Sequence, residues 1–162
     1  MAPRQIVILR HAEKPDDPSD PDLSPEGDAR AQMLANLIPR RFPNPDWLFC
    51  AARSRHSNRS YDTLAPLARA LGMALDERYV DDRYAELAAD LLQKPKYADK
   101  LIVICWHHGH IPDLALSLGV AQATLAAAPG MIGMGWDPTI FDRFWILDFG
   151  NGRISFSSAL EQ

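Results

Sequence analysis

LIVICWHHGHIPDLALSLG, residues 101–119, is the stretch that decides the fold. LIVICW is apolar at every position, without the polar alternation of a strand wetted on one side, and so predicts a strand covered on both faces. HHGH at 107–110 breaks the run, and Pro112 fits the first turn of a helix. A buried strand running through a polar turn into a helix is the repeating unit of a parallel α/β sheet.

The same unit occurs twice upstream. IVIL at 6–9 ends in Arg10 and His11, and HAEKPDDPSDPD then reads as a surface loop because its prolines and aspartates cannot pack as regular structure. Ser24-Pro25-Glu26 supplies an N-cap, a first-turn proline and an early acid. With Ala31, Leu34, Ile38 and Phe42 at helical spacing, a helix is predicted over 25–41. DWLFCAA at 46–52 is the second strand, and SRHSNRSYDTLAPLARALG places Tyr61, Leu64, Leu67 and Leu71 on one helical face stopping at Gly72. Pro66 predicts a kink or a late helix start, since an interior proline costs roughly 3 kcal/mol. A third helix is predicted over 82–93, and FDRFWILDF and RISFSS flank a hairpin turn at Gly150-Asn151-Gly152. The expected architecture is an α/β three-layer sandwich: a mainly parallel central sheet, an antiparallel edge hairpin and helices on both faces, in a single domain over 1–162.

The chain has 162 residues, 47% of them hydrophobic, enough for one sizeable core. Its 17 basic and 21 acidic residues leave a net charge of -4 with no basic tract, which argues against nucleic-acid and membrane-surface partners. Cys50 and Cys105 each lie in an apolar run and read as reduced core residues. IVIL is too short for a signal-peptide core or a membrane span, which makes the cytoplasm the expected location.

Three polar clusters follow the predicted strands: Arg10-His11, Arg55 to Arg59, and His107-His108-Gly109-His110. In this fold all three converge on the rim beyond the strands' carboxyl ends. Guanidinium groups match phosphate oxygens with paired hydrogen bonds, and a neutral imidazole is a nucleophile toward phosphorus. Each cluster alone has a plainer reading: a strand cap, a solvated helix face, or a metal site. For the histidines, the i, i+1, i+3 spacing fits common chelating patterns poorly, and no metal is expected.

Together, ILRHAEKP at 8–15, LSPEGDARA at 23–31, RSYDT at 59–63 and LIVICWHHGHIPDLALSLG at 101–119 resemble the histidine phosphatase (phosphoglycerate mutase-like) superfamily. The resemblance implies an enzyme of the phosphoric monoester hydrolase type in which His11 becomes phosphorylated. Arg10 and Arg59 would clamp the phosphate with a second histidine, and no cofactor would be needed. Counting back from Ile111 makes that histidine His107; the Trp-x-His-x-x-Ile-Pro form makes it His108, the preferred expectation. His110 is expected at the entrance of the following helix. The general acid has four candidates, Asp81, Asp82, Glu86 and Glu13, because ALDERYVDDRYAEL lacks the family's Glu-x-x-x-Gly pattern.

A missing acid suits phosphohistidine, whose leaving group is better than an alkoxide, and a short chain leaves little material for a lid. A phosphatase is therefore expected ahead of a mutase, acting on a phosphorylated small molecule or phosphoprotein. A non-catalytic phosphate-binding module of the same fold and a histidine-based metal protein are the competing readings.

Overall fold

The computed structural model describes residues Met1–Gln162. A six-stranded sheet forms its centre, with strand order β3-β2-β4-β1-β7-β8. The strands are β1 (Gln5–Arg10), β2 (Trp47–Cys50), β3 (Leu75–Asp76), β4 (Leu101–Trp106), β7 (Arg143–Gly150) and β8 (Arg153–Leu160), while β5 (Met131–Ile132) and β6 (Gly135–Trp136) make a separate small hairpin. β3, β2, β4 and β1 run parallel, and β7 and β8 are antiparallel to their neighbours.

β1 and β4 lie side by side in the middle, so LIVICW is buried at all six positions, as its unbroken apolar character requires. Strand parity sorts the core into two layers. Ile6, Ile8, Ile102, Ile104 and Trp106 point toward α3 (Tyr84–Gln93), α4 (Ile111–Ser117) and α5 (Gln122–Ala126). Val7, Leu9, Val103 and Cys105 point toward α1 (Pro25–Arg41) and α2 (Arg59–Leu71). This is the three-layer sandwich expected. Cys50 and Cys105 are cross-strand neighbours in the second layer, buried and reduced, and burial pushes both thiols up.

α1 begins as its sequence dictates: the Ser24 hydroxyl accepts from the Gly27 N–H at 3.0 Å, a cap contributing about 1 kcal/mol. α2 stops at Gly72, which adopts the left-handed conformation at φ 63°. It does not start late: Pro66 lies well inside a helix that begins at Arg59. Pro66 and Asp62, whose carbonyl the proline leaves without an N–H partner, are both half-exposed, so solvation offsets the loss. The third helix starts at Tyr84, after one 3₁₀ turn at Asp81–Arg83. At the far edge, Asn151 and Gly152 both have positive φ, 52° and 74°, closing the β7-β8 hairpin in two residues. β3, the β5-β6 hairpin and α5 have too few residues to show a period, and no pattern of residues marks them. No helix is long and apolar enough to cross a membrane.

Candidate active site

The site forms where β1 and β4 end together. His11 follows the last residue of β1, and its N–H donates to the Trp106 carbonyl at 3.1 Å. The Ala12 N–H donates to the Thr63 hydroxyl at 2.8 Å, and that hydroxyl donates to the Arg59 carbonyl at 2.7 Å. The chain next passes against the start of α1, where the Glu13 carbonyl accepts from the Ser24 N–H at 3.0 Å. A Cβ at Gly27 would sit 2.3 Å from that carbonyl oxygen, so only glycine allows the approach. Strand, α1 and α2 together fix the direction in which His11 leaves the sheet.

His11 is 3% exposed, and its Nδ1 lies 2.7 Å from the Ala12 carbonyl. A carbonyl only accepts, so Nδ1 carries the proton and Nε2 presents its lone pair. Burial pushes the His11 pKa well below its ordinary value; His107, Arg10 and Arg59 push the same way, while the Ala12 carbonyl opposes them. The ring is thus held uncharged and in one tautomer, with Nε2 able to act as a nucleophile.

The groups around it are cations or donors. Arg10, 1% exposed, is lowered by burial to about 10 and so keeps its charge at neutral pH. Its Nη1 donates to the carbonyls of Pro138 and Ile140 at 2.7 and 3.0 Å, while its buried Nε has no partner. Arg59, the first residue of α2, donates through Nη1 to the Asp20 carbonyl at 2.9 Å, and its buried Nε is likewise unpartnered. The His107 ring stands edge-on to His11, with centroids 5.3 Å apart. Burial lowers His107, Arg59 adds to the shift and Asp81 opposes it. No carboxylate pairs with Arg10 or Arg59. An unmade bond at a buried donor costs about 1–3 kcal/mol, and an anion's oxygens could supply bonds that these two guanidinium groups lack.

The remaining predicted residues divide sharply. His108 is half-buried and makes no ring contact with His11; burial, reinforced by Arg10 and Lys14, lowers it to about 4. His110 Nδ1 lies 3.1 Å from Asp81 Oδ2, a charge-pair distance without hydrogen-bond alignment, and its ring packs against Tyr84. The Asp81 carbonyl accepts from the Trp106 indole at 3.1 Å, which anchors Asp81 beside the end of β4. Asp82 and Glu86 are exposed, and Glu86 pairs with Arg83. Glu13 is held by Arg30. Arg55 and His56 are exposed and bonded to each other, so of that basic cluster only Arg59 enters the site.

No three His, Cys, Asp or Glu side chains converge as metal ligands. A hollow of about 600 Å³ between Trp47 and Arg78 is lined by none of these groups; the site is marked by chemistry rather than volume. Thr63 and Phe141 are the participants that the sequence reading did not single out. Phe141 stacks on Arg10 across more than 100 residues of chain, and nothing local signals it.

The α/β sandwich of this chain is a fold that it shares with proteins named as histidine phosphatases. Solved structures bear this out: a mycobacterial glucosyl-3-phosphoglycerate phosphatase bound to inorganic phosphate is 18% identical over 97% of this chain and 96% of its own, with a TM-score of 0.60. An Agrobacterium tumefaciens protein named as the phosphohistidine phosphatase SixA is 20% identical over 95% and 97%, with a TM-score of 0.58. A Plasmodium falciparum phosphoglycerate mutase is 13% identical over 96% and 87%, at 0.57. No protein-family model matches the sequence, and no curated protein does.

Proposed function

We propose that residues 1–162 act as one phosphatase domain working through a phospho-His11 intermediate. The observation that carries this is a neutral His11, with Nε2 free, inside a buried group of donors that has no bound carboxylate. Nε2 attacks phosphorus and the bond to the leaving oxygen or nitrogen breaks. Water then cleaves the P–N bond, releasing inorganic phosphate and restoring His11. Arg10 and Arg59 bind the phosphoryl oxygens through the donors that the resting site leaves unused, and His107 adds a third contact. The position of His107 against His11 supports it, ahead of His108, as the second histidine.

Asp81 is the favoured acid. It alone of the four candidates lies beside the end of β4 without an arginine partner, and one of its oxygens is buried and unbonded. The substrate is a phosphorylated small molecule or a phosphoprotein, as a phosphomonoester or phosphohistidine. The similar folds named as phosphatases, one solved with inorganic phosphate and one with tungstate, support a tetrahedral oxyanion as the kind of ligand.

Acid-labile label from a radioactive phosphodonor tests the intermediate. Wild type should retain it, and His11→Ala should lose it along with at least about a thousandfold of turnover. Equal labelling or equal hydrolysis by both would refute the proposal. In the same assay His107→Ala should cost more turnover than His108→Ala.

A further inference from the structure

The chain between the small hairpin and β7 forms a strap, Asp137–Phe141, that closes over the root of Arg10. It is stiffened internally. The Asp137 carboxylate accepts from the Thr139 N–H and hydroxyl at 2.9 and 2.7 Å, and the Ile140 N–H donates to the Asp137 carbonyl at 3.1 Å. It is also anchored from below. The buried Trp136 packs on Trp145 and donates its indole N–H to the Ile140 carbonyl at 3.0 Å. That same carbonyl, with Pro138's, receives Arg10 Nη1. Phe141 then lays its ring on the guanidinium, with Cζ 3.7 Å from the ring centroid, and tilts toward His11 at 6.2 Å.

We infer that Phe141 is a positioning residue for the phosphatase reaction, acting through Arg10. This rests on the reading of the site as a phosphate site. A guanidinium on a flexible side chain binds an oxyanion well only if its plane is fixed beforehand, because fixing it at the moment of binding costs side-chain entropy. Two carbonyls capture Nη1 and the Phe141 ring covers one face, so the plane of the guanidinium has one orientation. The ring's π face also stabilises a cation that no carboxylate bonds directly, the charges of Glu13 and Asp137 acting on it from farther away. The strap thereby sets the geometry of the phosphate clamp without touching the phosphate.

The test separates the π face from simple bulk, using Phe141→Leu, Phe141→Tyr and Phe141→Trp in the full chain, with vanadate affinity measured alongside kcat and KM. A cation–π contact of the usual strength predicts that Phe141→Leu weakens vanadate binding and kcat/KM by about threefold to thirtyfold, with the tyrosine and tryptophan variants near wild type. Trp136→Phe, which loosens the strap from beneath, should shift both in the same direction by less. Circular dichroism and thermal melting confirm that each variant is folded. Phe141→Leu matching wild type in both readouts overturns the inference, as does Tyr or Trp failing as badly as Leu. Wild type that binds no vanadate overturns the reading of the site itself, a distinguishable failure.

Discussion

Two clusters of buried charge lie on either side of the turn that follows β1, and they are built on opposite terms. Around His11, Arg10 and Arg59 have no carboxylate partner and each keeps a buried Nε unbonded. A few residues on, Arg30 is embraced by Glu13, with Nε at 2.8 Å and Nη2 at 2.5 Å from its oxygens, and Nη1 reaches the buried Glu161 at 3.3 Å. The second cluster carries its own counter-ions and holds structure together. The first lacks them, and a folded chain tolerates that deficit where a ligand supplies the missing charge.

The difference can be broken by mutation. Arg59→Met should reduce turnover by about a hundred- to a thousandfold, the usual consequence of deleting one preorganised donor. The ligand-free protein should melt at nearly the same temperature, because Arg59 is half-buried and no carboxylate bonds to it directly. Loss of melting temperature together with activity would show that Arg59 is compensated after all. Arg30→Met should do the converse: it strands the Glu13 carboxylate, and denaturant titration should show a loss of about 3 kcal/mol. Turnover of the folded fraction should change little.

The smallest effect sharpens the balanced cluster. Burial raises Glu161 to about 8 against the attraction of Arg30, whose charge Glu13 already largely satisfies. The native state therefore binds this proton more tightly than the unfolded chain does. Its contribution to stability is complete below the unfolded carboxyl value near 4.5, declines as pH rises to about 8, and is flat beyond. Glu161→Gln removes the decline. Its melting temperature should match wild type near pH 4 and exceed it above pH 8, the gap opening progressively between the two. A gap that does not vary with pH would show that Glu161 does not titrate in this range.

Much of the sandwich was legible in the sequence because its elements are long enough to show a period or a cap. LIVICW had no polar face to expose, Ser24-Pro25-Glu26 could only open a helix efficiently, and Asn151-Gly152 could close a two-residue turn without strain. The Arg10-His11 pair was legible for a related reason: residues that follow a central parallel strand must emerge on the rim where such sheets bind ligands. Adjacent histidines were harder to rank. Sequence spacing admitted both His107 and His108, whereas the turn after β4 put His107 edge-on to His11 and left His108 half-buried without that contact.

The layers, the order of the motifs and the place of His11 at the end of β1 could be read from the amino acids alone, since each depends on neighbours within a few residues. Tertiary contacts set which cations lack a carboxylate partner, put Asp81 beside the end of β4, and lay Phe141 on Arg10. Those depend on contacts between segments far apart in the chain. A charge's chemistry is set by what packs against it, and the amino acids beside it in sequence do not specify that.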